Sequence, residues 1–133
     1  MSRSNYSDDL EPWELIRYRG QVASAVRGRR GQRMLRDLRD ALEAMPNRRL
    51  TTNHLEDGDG EVCAFGALGK SRGIDLSELD PGDPHELGAA FNVADQLAGE
   101  VVFMNDEATY GTPEDRWAFM HSWTLRNIRA EAS

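Results

Sequence analysis

The sequence predicts a mainly α, single compact domain of four to five helices, and it leaves room for one short β-hairpin near residues 50–65. The chain has 133 residues, the size of one ordinary domain. Alanine and leucine occur 14 and 13 times, whereas valine and isoleucine together occur 9 times, and this balance favours helices over strands. We expect residues 1–9 to be a disordered tail and residues 10–130 to form the helical domain.

Two helices are expected in the N-terminal third. The first opens near Pro12, which suits a first helical turn, and Gly20 is a weak point within it. Its inner face would carry Trp13, Ile16, Val22 and Val26. Arginine and glycine alternate over residues 27–31 and predict a turn. The second helix, about 30–45, has the clearest pattern, because its apolar residues recur at steps of three and four.

The middle of the chain predicts a hairpin, a short helix and a long helix. Residues 57–60 read Asp-Gly-Asp-Gly, a strong turn signal that would close the hairpin over 50–65. A short helix with a small-residue face follows at 63–70, and Gly73 is suited to end it. A broad apolar face then predicts one long helix over 85–104.

The last helix begins at Thr112-Pro113, a capping residue followed by a first-turn proline, and runs to about Ile128. Asn105 and Asp106 would lie in the loop before it and serve structure, by capping or bridging. The residues expected in the core are Trp13, Leu35, Leu38, Leu42, Leu68, Phe91, Leu97, Trp117 and Met120.

Charge is distributed unevenly along the chain. The net charge is −7. Residues 15–49 carry ten arginines and three acids, net +7, whereas residues 50–115 carry one lysine, one arginine and fifteen acids, net −13. An overall acidic chain excludes a basic coat over the whole surface but allows a local basic patch.

The basic patch is expected over residues 27–36, in the turn and the start of the second helix, where arginine could bind phosphate or carboxylate groups through paired hydrogen bonds. The candidate residues for binding a protein or a nucleic acid are Arg27, Arg29, Arg30, Arg33 and Arg36. The alternative is a solvated helix face, or an intramolecular bridge between these arginines and the acidic middle of the chain.

The motifs for metal binding and catalysis are weak. Asp57, Asp59 and Glu61 alternate as in a calcium loop, but the glycine and the final glutamate that an EF-hand needs are missing. The lone cysteine and three histidines lack the spacing of a zinc site, so no metal or cofactor is expected. Cys63 at a helix N-terminus, with His54, His85 or His121 as base, leaves a cysteine hydrolase open.

Several segments resemble small uncharacterised proteins of bacteriophages and prophages. The likeness covers most of residues 13–128 and is carried by these runs: Tyr18 to Gln32, Leu42 to Pro46, Gly60 to Lys70, Asn105-Asp106, and Thr112 to Glu114. It implies a phage-encoded cytoplasmic protein that acts on host machinery, and it assigns no catalytic residue.

The favoured hypothesis is therefore a non-enzymatic interaction protein that acts on a host protein, such as an anti-CRISPR-like inhibitor of host defence. The first alternative is a nucleic-acid-binding accessory protein that uses residues 27–36. The second alternative is the small hydrolase that uses Cys63. We expect no membrane association, and either a monomer or a homodimer.

Overall fold

The computed structural model describes residues 11–108 and 111–130, and this part of the chain is mainly helical. The predicted tail at residues 1–9 lies outside the described residues. The described residues form six α-helices, against the four to five predicted, and one short 3-10 turn at Leu76–Glu78. The helices are α1 (Pro12–Arg27), α2 (Arg29–Glu43), α3 (Ala64–Arg72), α4 (Pro84–Phe91), α5 (Asp95–Asp106) and α6 (Pro113–Asn127).

A single extended residue, Gly28, separates α1 from α2. The predicted turn over 27–31 is therefore reduced to one position, and α1 continues unbroken through Gly20. Gly31 lets the two helices meet at this corner, because a Cβ there would collide with the carbonyl oxygen of Ala25. Buried Gln32 then fixes the corner: its Nε2 donates to the carbonyl oxygen of Val26 at 2.6 Å.

The inner face of α1 differs from the predicted one. Tyr18 and Val22 are buried, whereas Trp13 is 61% exposed and Ile16 is 72% exposed. At about 100° per residue, Trp13 and Ile16 lie roughly 140° and 160° around the helix from Tyr18. The prediction that Trp13 belongs to the core is wrong for this reason.

The predicted hairpin over 50–65 is also wrong. The described residues contain one isolated antiparallel bridge, between Glu56 and Val62, and no named strand. Asn53 has a φ of 67°, which interrupts the extended backbone that a strand needs. The turn itself forms, because Asp57 Oδ1 accepts hydrogen bonds from the amides of Asp59 and Glu61.

The long helix predicted over 85–104 is two helices. Asn92 adopts the left-handed conformation with φ 58° and ends α4, and the amide of Val93 donates to the carbonyl oxygen of Gly88. Asn tolerates this conformation better than most residues. Asn105 and Asp106, predicted in a loop, lie instead in the last turn of α5.

The core is one cluster of buried side chains from α2 to α6, and α1 packs Ala25 and Val26 against it. Within it the rings of Phe65 and Phe91 stack, with their centroids 4.4 Å apart. α6 is fixed by the indole of Trp117, which donates to the carbonyl oxygen of Leu42 at 3.1 Å. The predicted core residues that are buried are Leu35, Leu38, Leu42, Leu68, Phe91, Leu97, Trp117 and Met120. No described helix combines the length and apolar composition that crossing a bilayer requires.

Candidate functional site

Arginines from two helices line one open cleft of ≈ 350 Å³, which we call the basic cleft. The first turns of α2 contribute three of them, and the last turn of α3 contributes the fourth. The turn between α4 and α5 contributes an asparagine to the lining. The residues of the basic cleft are Arg29, Arg30, Arg33, Asp37, Arg72 and Asn92.

Hydrogen bonds hold two of these arginines in place. Arg72 donates through Nη1 to the carbonyl oxygen of Phe91 at 3.1 Å and through Nη2 to Asp37 Oδ2 at 2.8 Å. Arg30 Nη1 donates to Asn92 Oδ1 at 3.3 Å. The α4–α5 turn therefore positions one guanidinium through its backbone and another through a side chain.

The basic cleft is strongly positive. Four arginines and one aspartate give it a net charge of +3, and Asp37 is already paired with Arg72 and lies 3.8 Å from Arg33 Nε. No carboxylate of the described residues forms an ion pair with Arg29 or Arg30. Arginines in the first turn also face the positive end of the α2 dipole, at a cost of about 0.3–1 kcal/mol each.

Three of the five predicted binding residues line the cleft: Arg29, Arg30 and Arg33. Arg27 is exposed at the end of α1 but does not line it, and half-buried Arg36 does not line it either. Sequence reasoning missed Arg72, because this residue is 35 positions from its partner Asp37 and is the only arginine in the acidic residues 50–115. Only the fold brings it to α2.

The outer face of α1 is a second unusual surface. We define it by five exposed residues that lie opposite buried Tyr18: Trp13, Ile16, Gly20, Ala23 and Arg27. Single exposed apolar residues are common, but Trp13 and Ile16 lie one helical turn apart and are therefore neighbours on this face.

Cys63 lies at the N-terminus of α3 as expected, but its burial opposes formation of a thiolate. It is buried, and its Sγ accepts a hydrogen bond from the amide of Gly66 at 3.4 Å, so that the side chain caps α3. Burial raises the pKa of the thiol to about 12. The adjoining cavity, which His54 also lines, measures ≈ 10 Å³ and has room for about one water molecule.

Asn105 fills a structural position. Its Oδ1 accepts from the amide of Ala64 at 3.0 Å, and its Nδ2 donates to the carbonyl oxygen of Thr51 at 3.0 Å and to Asp106 Oδ1 at 2.7 Å. Asp106 Oδ1 also accepts from the amide of Asn53 at 3.4 Å. This pair therefore joins the end of α5 to the segment that leads into α3.

The acidic turn at residues 57–60 has a structural role. Asp57 accepts from two backbone amides and from the hydroxyl of Thr51. Desolvation alone would raise the pKa of Asp57, but these hydrogen bonds lower it below its ordinary value. Among the described residues, no group of three or more histidine, cysteine or acidic side chains is arranged to hold a metal ion.

Comparison with known proteins adds no assignment: no family model, curated protein or solved structure matches this chain.

Proposed function

We propose that this protein is a non-enzymatic interaction protein, and that its outer face of α1 binds an acidic surface of a protein of a bacterial host. The observation that carries this proposal is the exposure of Trp13 and Ile16, at 61% and 72%, on a helix whose opposite side is buried. The host assignment rests on the resemblance to bacteriophage proteins, and inhibition of a host defence system is the form that the resemblance favours.

The charge around the outer face supports an acidic partner. Arg17 and Arg27 are exposed on or beside it, and Arg29 and Arg30 continue the positive charge just beyond its end. Tryptophan and arginine are the residue types that most often dominate binding energy at protein interfaces. A partner that offers an apolar pocket for the indole and a carboxylate rim matches this arrangement.

Catalysis by Cys63 has little support, since the thiol is buried and protonated at neutral pH and serves as a cap. A nucleic-acid duplex contacted through its phosphates would account for the arginines, but it would give the two exposed apolar side chains no role. An acidic protein accounts for both features.

The test compares the wild-type protein and two variants as baits in affinity capture from a bacterial host lysate. The test bait carries Trp13→Ala and Ile16→Ala, and the control bait carries Leu125→Ala, which removes another exposed apolar side chain, on α6. All three positions are exposed, so each change should alter stability by less than about 0.5 kcal/mol. Captured proteins are identified by mass spectrometry, purified and titrated against each variant.

We expect the double variant to lose at least 2 kcal/mol of binding, roughly 30-fold in Kd, while the control binds as the wild type does. The purified partner should bind more weakly as salt increases. Equal binding by all variants would contradict the proposal. Light scattering is run in parallel: a wild-type dimer that the double variant dissociates would assign the outer face to a second copy of this chain.

A further inference from the structure

The basic cleft is a separate feature from the outer face of α1, and its geometry is that of a prepared anion site. Arg72 is 24% exposed and is fixed by two hydrogen bonds, so its guanidinium has little freedom to lose on binding. A guanidinium has five N–H donors, and Arg72 commits two of them to these bonds. Its remaining donors, and those of exposed Arg29 and Arg33, can serve a ligand.

The break between α4 and α5 supplies the fixed acceptors. In a continuous helix the carbonyl oxygen of Phe91 would accept from an amide of the next turn. Because α4 ends at Asn92, this oxygen instead accepts from Arg72, and the Asn92 side chain accepts from Arg30. The Nδ2 of Asn92 is a further donor at the wall of the cleft.

From these observations we propose that the basic cleft binds an oligophosphate group, meaning two or three linked phosphates. The net charge of +3 matches the three to four negative charges of such a group better than the single charge of a phosphodiester. Planar guanidiniums bind phosphate oxygens in pairs, which neither a single amide nor a lysine can do. A volume of ≈ 350 Å³ accommodates a ligand of this size.

A compact ligand also fits the charge of the rest of the molecule. With a total of −7 and +3 in the basic cleft, the remaining residues carry −10. A nucleic-acid duplex buries about 1,000–2,500 Å² of protein and would extend well beyond the basic cleft. An oligophosphate stays within the cleft, where it gains the attraction of the local positive charge.

Linked phosphates occur both in inorganic pyrophosphate and in a nucleoside triphosphate. Calorimetric titration at low ionic strength distinguishes these two ligands. The probes are pyrophosphate, ATP, adenosine, sulfate and a DNA duplex. We expect pyrophosphate and ATP to bind, and adenosine and sulfate to give no saturable heat. Similar affinities for pyrophosphate and ATP would assign recognition to the phosphates alone, whereas tighter binding of ATP would add a contact to the nucleoside.

Exposed arginines provide matched variants. Arg29→Gln and Arg33→Gln remove guanidiniums of the basic cleft, whereas Arg27→Gln removes one that lies outside it on the same corner. Each cleft variant should weaken pyrophosphate binding about tenfold, while the control changes it less than about twofold. Circular dichroism confirms that the variants remain folded.

Three outcomes would overturn the inference: no binding of pyrophosphate or ATP, equal weakening by the control variant, or sulfate binding as tightly as pyrophosphate. Duplex binding that exceeds pyrophosphate binding and also depends on Arg27 would replace it with a nucleic-acid surface. None of these results depends on Trp13 or Ile16, so failure here is distinguishable from failure of the proposed function.

Discussion

Removal of the Asn105 side chain is expected to break the hydrogen bonds between α5 and the segment that leads into α3, and so to lower the free energy of unfolding. In Asn105→Ala the amide of Ala64 loses its acceptor in a buried position, and the carbonyl oxygen of Thr51 loses its donor. A buried donor without a partner costs about 1–3 kcal/mol. Thr51 is half-buried, so water can reach its oxygen and the second loss adds only about 1 kcal/mol.

The combined loss in the free energy of unfolding is therefore about 2–4 kcal/mol, which for a domain of this length lowers Tm by roughly 6–20 °C. Differential scanning calorimetry measures it directly. Asp106→Ala should cost less, because Asp106 is only partly buried. Asn47→Ala, at an exposed asparagine, is the control and should leave Tm nearly unchanged.

An Asn105→Ala variant that melts with the wild type would refute this reasoning. An unchanged Tm combined with lost partner binding would go further, since it would make Asn105 a contact residue instead of a structural one.

Three other predictions follow from the same structure. Because burial raises its pKa to about 12, Cys63 should not react with a thiol reagent at neutral pH until the protein is unfolded, and rapid labelling of the native protein would contradict this. Gly66→Ala should destabilise the fold by about 1–3 kcal/mol in urea titrations, because the new Cβ would collide with the backbone carbonyl of Leu55. Gly20→Ala should instead stabilise α1 by about 0.5–1 kcal/mol, because a Cβ at that position would have no neighbouring atom within 4 Å. The hydrogen bond to Asp95 and the charge of that residue raise the pKa of His85. This contact therefore stabilises the fold at acidic pH, and the stabilisation is lost as pH rises through the raised pKa. An NMR titration in which Asp95→Asn leaves the His85 pKa unchanged would contradict this prediction.

The sequence predicts well those helices whose signals are local. α2 follows from its apolar steps, and its buried side chains, such as Leu35 and Leu38, agree with them. α6 begins where Thr112 predicts, because the hydroxyl of Thr112 and the carboxylate of Asp115 form a reciprocal capping box. Neither helix needs information from elsewhere in the chain.

The sequence fails where the outcome depends on distant contacts. Apolar residues continue across Asn92, so periodicity alone predicts one helix there. In the structure the left-handed Asn92 ends α4, and α5 packs against it. Trp13 carries a large apolar side chain, but the burial of Tyr18 and Val22 fixes the rotation of α1 and turns the indole outward. The basic cleft depends on the first of these effects, because the end of α4 leaves the carbonyl oxygen of Phe91 free to accept from Arg72.

The central claim is that Trp13 is a docking residue, and fluorine NMR of 5-fluorotryptophan-labelled protein tests it most directly. The chain has three tryptophans, and Trp117 and Trp123 are buried, so one resonance reports the outer face of α1. Assigned with Trp13→Phe, this resonance should shift or broaden when unlabelled host lysate or the purified partner is added, while the other two stay in place. A Trp13 resonance that is unchanged, or three resonances that change alike, would contradict the claim.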